Sequence, residues 1–196
     1  MTTTLSAGAP PRVLGISGSL RRDSHNSRLL RAAGALLPPG AELEIWDGLK
    51  AIPPYDEDDE TAGRPAAVEE LDAAIRAADV VLFATPEYNH SLPGTLKNAL
   101  DWLSRPLAGN ALWRKPVAVV GASTGLFGAV WAQAELRKVL GALGAEVLDG
   151  ELPVGLADGA FTADDGLADA DLQARYGGLL AELAAAAPAP ALAAAA

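Results

Sequence analysis

The 196-residue chain has no cysteine. That excludes disulfides, thiolate metal sites and thiol redox chemistry. Two histidines, His25 and His90, are too few for a three-histidine zinc centre, and no metal site is expected. Aromatic residues are only 5% of the chain although half of it is apolar, so alanine, leucine and valine must build the core. Basic residues are outnumbered: 15 Lys and Arg against 25 Asp and Glu, for a net charge of −10. Such a chain repels nucleic acid and anionic membranes, which leaves small molecules as the expected partners. No apolar run approaches the roughly 20 residues that span a bilayer. The start, "MTTTLSAGAPP", lacks the basic then apolar pattern of a secretory signal, so a cytoplasmic protein with no membrane partner is expected. Two nucleotide signatures are also missing: there is no G-x-x-x-x-G-K-[ST], and Gly15 and Gly18 are wrongly spaced for G-x-G-x-x-G.

What the sequence does have is alternation. "RVLGIS" (Arg12 to Ser17), "AELEIWD" (Ala41 to Asp47), "VVLFA" (Val80 to Ala84), "KPVAVVGA" (Lys115 to Ala122) and "AEVLD" (Ala145 to Asp149) read as strands. Between and after them, Asn26 to Leu37, Pro65 to Ala78, a stretch opened by Ser91 as N-cap, Ala129 to Leu143 and Asp169 to Ala185 carry apolar residues at helical spacing. Strands alternating with helices predict an α/β fold, a doubly wound parallel sheet with helices on both faces. Five strands in this length suggest the flavodoxin-like order 2-1-3-4-5. Residues 12–186 are expected to form the domain, residues 1–11 a flexible start and residues 187–196 an Ala/Pro-rich disordered tail.

In such sheets ligands bind beyond the carboxyl ends of the strands, where the winding reverses. Three loops sit there. "SGSLRRDSHNS", Ser17 to Ser27, supplies hydroxyls, an amide and arginines at a helix start, a plausible anion cradle. Its competing reading is capping by serine and asparagine with solvated arginines. Hydroxyls without close-approach glycines suit a terminal monophosphate, as in flavin mononucleotide (FMN), better than a bridging pyrophosphate. Asp47, after the second strand, keeps a dinucleotide as an alternative. "TPEYNHS", Thr85 to Ser91, can form a tight turn through Pro86 whose backbone reads a flavin edge, with Tyr88 as a flat wall and Asn89 as a two-way amide. A plain strand-to-helix turn accounts for it equally well. "GASTGLFGA", Gly121 to Ala129, permits close backbone approach.

Together, "GSLRRDSHN", "TPEYNHSLPGTLKNALDWLSR", "GASTGLFG" and "ELRKVLGALGAEV" resemble the NADPH-dependent FMN reductase family, which includes quinone, chromate and azo-dye reductases. The resemblance covers about Arg12 to Leu183. It implies that Ser19, Arg21, Ser24 and Asn26 take the FMN phosphate. It implies that Pro86, Glu87, Tyr88 and Asn89 line the flavin edge, largely through backbone groups. Ser123, Thr124 and Gly125 then border the ring from the strand-four side. Ala129 and Trp131 depart from the family's usual second glycine and basic residue, which touches the helix start there and any subunit contact through it.

The resemblance also implies the chemistry. Hydride passes from NADPH or NADH to flavin N5 and on to a quinone or similar acceptor, with no catalytic side chain named because the flavin carries the reaction. A homodimer or homotetramer is implied, with Trp102, Trp113 and Trp131 as core or interface aromatics. The acidic loop Ile52 to Glu60 is read as solvated over Asp56 to Glu60, with Tyr55 left undecided, and His90 is read as a solvated turn residue. Two other functions compete: a flavodoxin-type electron carrier that does not turn over nicotinamide, and a flavin-free scaffold with an inherited fold.

Overall fold

A computed structural model describes residues 10–188. The expected flexible start and Ala/Pro-rich tail therefore lie outside the described residues, apart from residues 10, 11, 187 and 188. Five strands form one parallel sheet: β1 (Arg12–Ser17), β2 (Glu42–Trp46), β3 (Val80–Thr85), β4 (Pro116–Ala122) and β5 (Glu146–Val154). Their order is β2-β1-β3-β4-β5, as expected from the alternation. Every residue of β3 and β4 is buried, which is why both read as unbroken apolar runs.

The helices are α1 (His25–Leu36), α2 (Glu57–Ala62), α3 (Ala66–Ala77), α4 (Gly94–Leu103), α5 (Val130–Ala142) and α6 (Ala170–Ala185). They cover the sheet on both sides. Leu71, Ile75, Leu96, Leu100, Trp102 and Leu136 fill one core with Leu14, Val81, Phe83 and Val119. Leu29, Leu30, Tyr176, Leu180 and Leu183 fill the other with Val13, Leu82, Ala118 and Val120. Successive strand residues point to opposite faces, so each central strand feeds both cores.

Three expectations need correction. The acidic stretch is not all loop: Asp56 caps α2 by accepting from the Asp58 N–H at 2.8 Å, and four acids fill its first turn. Carboxylates favour a helix N-terminus, but so short and polar a helix has no apolar periodicity to read. β5 runs to Val154 rather than Asp149, because the register against β4 shifts between Val117 and Val119 and lets the strand resume. Ser91 does not cap α4. That helix starts at Gly94 behind Pro93, and the Ser91 hydroxyl instead donates to Glu135 Oε2 at 2.5 Å. Tyr55 is settled too. It meets the edge of Trp102 at 5.0 Å, its N–H donates to Asn98 and its hydroxyl to Glu60, and partial burial with the Glu60 carboxylate pushes the phenol up.

Among the described residues no helix is long and apolar enough to cross a membrane, and no three His, Cys, Asp or Glu side chains gather as a metal site.

Candidate functional site at the strand ends

The loop after β1 leaves the sheet through Gly18, whose N–H donates to the Ala84 carbonyl of β3 at 2.8 Å. A Cβ on Gly18 would stand 3.0 Å from Leu96 and 3.3 Å from Pro86, so its absence lets this loop lie against the turn after β3. Ser24 then caps α1, accepting from the N–H groups of Asn26 and Ser27. Asn26 is buried and bridges to β4: its Nδ2 donates to the Ala122 carbonyl at 3.0 Å, and Oδ1 accepts from the Ala122 N–H at 2.9 Å. Ser19 and Arg21 stay accessible, with the Arg21 guanidinium donating to the Asp23 carbonyl at 2.7 Å and the Arg21 backbone N–H to the Ser19 hydroxyl oxygen at 3.3 Å. The capping reading thus describes Ser24, and a bridging role describes Asn26. Arg21 and the Ser19 hydroxyl remain for an anion.

The turn after β3 is tighter than proline alone would make it. Asn89 and His90 both have positive φ, 54° and 62°. Tyr88 N–H donates to Ser91 O at 3.0 Å and Ser91 N–H returns to Tyr88 O at 3.1 Å. Positive φ at both central residues is the signature of a type I′ turn, and Asn is among the residues that adopt it most readily. Pro86 is buried, and its carbonyl accepts from the Thr85 hydroxyl at 2.8 Å. Glu87 turns its side chain away from the mouth: Oε2 accepts from the N–H groups of Trp131 and Ala132 at 3.0 and 3.1 Å, the open first turn of α5. Tyr88 projects outward at 52% exposure with its ring free.

The loop after β4 is stitched to the one after β5. Ser123 N–H donates to Val154 O, Leu156 N–H to Gly125 O and Ala157 N–H to Ser123 O. Gly128 and Gly155 allow this contact; a Cβ on either would meet backbone at 2.5 and 2.2 Å. Ser123, Thr124 and Gly125 are left at the rim.

These three loops converge. Ser19, Arg21, Ser24, Asn26, Pro86, Glu87, Tyr88, Ser123 and Thr124 border one cavity of about 130 Å³. Asn89 and Gly125, also expected at the site, adjoin it through the turn and loop just described but do not wall it. A groove of about 520 Å³ runs on between Leu20 and Tyr88.

Sequence reasoning missed the loop after β5. Asp158 sits 3.1 Å from His25 Nε2, Phe161 stacks on the His25 ring at 6.0 Å, and Asp165 bonds both Arg28 and Arg31 at 2.6 Å. The two guanidiniums hold the Asp165 carboxyl below its usual range, the Arg31 hydrogen bond foremost. This loop braces the first two turns of α1, and nothing local in its sequence announces a partner more than 130 positions away.

The profile of the NADPH-dependent FMN reductase family matches residues 11–159. The chain belongs to that family. It is 48% identical over 159 residues to an NAD(P)H-dependent FMN reductase of Pseudomonas aeruginosa, covering 81% of this chain and 85% of that protein. It is 42% identical over 143 residues to an Escherichia coli quinone reductase, covering 70% and 73%. Among solved structures, the flavoenzyme NAD(P)H:(acceptor) oxidoreductase FerB of Paracoccus denitrificans superposes with a TM-score of 0.78 at 34% identity, over 89% of this chain and 96% of that one.

The residues present fit the family's flavin. A monophosphate needs charge and donors, which Arg21 and the Ser19 hydroxyl offer beside the start of α1. A planar ring needs an apolar wall, which Tyr88 and Leu20 offer. The family departures find their account here as well. Ala129 adopts the left-handed conformation at φ 61° in place of glycine, and α5 still begins at the next residue because Glu87 accepts from its first turn. Trp131, where a basic residue is usual, is 43% exposed and packs edge-on against His90 at 4.7 Å and Phe127 at 5.2 Å. His90 is mostly exposed, 3.7 Å from the Glu87 carboxylate. Of the other tryptophans, Trp102 is core and Trp113 lies exposed across Gly144.

Proposed function

We propose that residues 12–186 act as one FMN-binding unit that passes hydride from NADPH or NADH to a quinone or similar small acceptor, with FMN, azo dyes and chromate in the same class. The observation that carries this is the single crevice joining the Ser19–Arg21 donors to Tyr88 and to the Ser123–Thr124 rim. Bound FMN supplies two-electron transfer at its N5. The chain's own part is orientation and electrostatics. Arg21 and Ser19 bind the phosphate, with Ser24 and Asn26 fixing the helix start and the strand-four end around it. The backbone from Pro86 to Asn89 presents donors and acceptors to the pyrimidine edge, held rigid by the Asn89–His90 turn. Ser123, Thr124 and Gly125 close the opposite side, and Tyr88 and Leu20 keep water from the ring. No side chain is assigned a proton-transfer step.

Leu126, Phe127 and Trp131 form an exposed apolar patch at 69%, 60% and 43% exposure. Patches of this kind mark contact surfaces, and we assign this one to a homodimer or homotetramer contact. A reaction that consumes reduced nicotinamide nucleotide is assigned to the cytoplasm, where that donor is regenerated.

The test is anaerobic: FMN-loaded protein is mixed with NADPH or NADH, the flavin absorbance is followed, and a quinone is then admitted. Bleaching followed by recovery is the expected result. Bound flavin that neither nucleotide bleaches would leave an electron carrier, and a protein that binds no flavin would sink the reading of all three loops.

A further inference from the structure

The turn after β3 is tied to α5 from both directions. Glu87, at its start, reaches across to α5, where its Oε2 accepts from the Trp131 and Ala132 N–H groups. Glu135, one turn further along α5, reaches back. A single oxygen, Oε2, accepts from the Ser91 hydroxyl at 2.5 Å and from the Leu92 N–H at 3.3 Å. Among the described residues Glu135 enters no ion pair. An exposed helical carboxylate without a cation is ordinarily left to water; this one is spent on the neighbouring turn.

Between the two ties lies the segment proposed to read the flavin. Tyr88 and Ser91 pair to close the turn, and Asn89 and His90 form its tip in the left-handed conformation. Two successive non-glycine residues stay there only where the surroundings over-determine them. Glu87 fixes the entry and Glu135 the exit, both to one helix. Without Glu135 the Ser91 hydroxyl and the Leu92 N–H lose their bonds to α5, and the exit is free to shift.

We infer that Glu135 is a positioning residue for the flavin edge. Through Ser91 and Leu92 it fixes the backbone from Pro86 to Asn89 without touching the ring, and so favours the reduced, partly anionic flavin over the oxidised one. The inference rests on the proposed function. Donors aimed at a charge stabilise it best when they are held in place before the charge develops. A turn that can shift therefore gives up more with the reduced ring than with the neutral oxidised one. Because both bonds end on one oxygen, the role is geometric: an amide oxygen in the same place serves as well, and the negative charge is not needed.

The test compares Glu135→Ala and Glu135→Gln with the parent. Alanine is the strongest helix former, so α5 is kept while both bonds go. Glutamine keeps an accepting oxygen and removes the charge. Oxidised and dithionite-reduced FMN are each titrated anaerobically by calorimetry. In Glu135→Ala the ratio of reduced to oxidised affinity should fall about fivefold, the scale of one net hydrogen bond, which lowers the two-electron potential of bound flavin by about 20 mV. Glu135→Gln should keep the parent's ratio to within about twofold, the scale of a neutral surface change. In the flavin-free protein the Ser91 and Leu92 amides should exchange with solvent faster in the alanine variant and at the parent's rate in the glutamine variant. An alanine variant with the parent's affinity ratio would overturn the inference. So would a glutamine variant shifted as far as alanine, because the carboxylate would then act by charge and not by position. A parent that binds no FMN would sink the proposed function and this inference with it, whereas unchanged amide exchange in the alanine variant would sink the inference alone.

Discussion

Asn26 joins the loop after β1 to the end of β4, and the cost of removing it follows from its two bonds. The side chain is 2% exposed and satisfies both the N–H and the carbonyl of Ala122. Asn26→Ala leaves both backbone groups buried without partners. Each such group costs about 1–3 kcal/mol, so a loss of roughly 2–6 kcal/mol is expected, a large share of a typical domain's 5–15 kcal/mol. Asn26→Asp is the sharper probe. A carboxylate still accepts from the Ala122 N–H but faces the Ala122 carbonyl with a second oxygen where Nδ2 donates at 3.0 Å. Protonation restores a donor. Burial and the facing carbonyl raise the introduced carboxyl's pKa in the folded state above its unfolded value of about 3.9. A raised acid contributes stability that is present below the unfolded pKa and lost as pH rises through the folded one. The variant should therefore approach the parent near pH 4 and fall behind it at pH 7. Urea unfolding followed by far-ultraviolet circular dichroism at both pH values reads the difference. A loss under about 0.5 kcal/mol in Asn26→Ala, the usual scale of a neutral surface change, would refute the bridge, as would an Asn26→Asp deficit equal at the two pH values.

Three further outcomes are expected. Arg21→Ala should weaken FMN binding by roughly 1.5–3 kcal/mol, read by flavin fluorescence titration, and an unchanged affinity would remove Arg21 from the phosphate. Gly128→Ala should lower the urea midpoint by more than any exposed alanine substitution in α5, because φ is +60° there and the new Cβ would stand 2.5 Å from the Val154 nitrogen. Asp165 is held below its usual carboxyl range by Arg31 and Arg28. Its contribution is thus present above pH about 4 and lost as pH falls through the depressed folded value. Asp165→Asn, which tolerates the local φ of 63°, should flatten the acid limb of the melting-temperature profile; a limb of unchanged steepness would count against the pair.

The parts of this fold legible in sequence are those where one physical demand dominates. β3 and β4 are buried along their whole length, so apolar character alone marks them. α1 and α3 show a clear apolar stripe, and their ends were placed to within a residue. Legibility fails where two demands compete. Gly150, Glu151 and Pro153 disguise the second half of β5, because an edge strand with a shifted register does not need apolar alternation. Ser91 has the chemistry of a cap, but Pro93 pre-sets the helix start and Glu135 accepts from the serine. At the site, the loops after β1, β3 and β4 were identifiable from their chemistry. The loop after β5 was not: only the fold sets Asp158 and Asp165 beside α1.

The polar turn after β3 and the loop after β1 each contain two kinds of side chain that look alike in sequence. Ser24, Asn26 and Glu87 spend their hydrogen-bonding capacity inside the protein, on the α1 cap, the β4 end and the α5 N-terminus. Ser19, Arg21, Tyr88 and Thr124 do not make such long-range bonds and face the cavity. The first set holds the crevice's shape and the second, on the proposed function, is what a ligand would meet. Their substitution should therefore separate on two axes. Alanine at Asn26 or Glu87 should lower stability and flavin affinity together, because the lost bonds hold the strand and helix ends that shape the crevice. Alanine at Arg21 or Tyr88 should lower affinity and leave the unfolding midpoint of the flavin-free protein within about 0.5 kcal/mol of the parent. If Glu87→Ala instead weakened FMN with no change in the flavin-free midpoint, its carboxylate would belong to the ligand, and the α5 cap would be incidental.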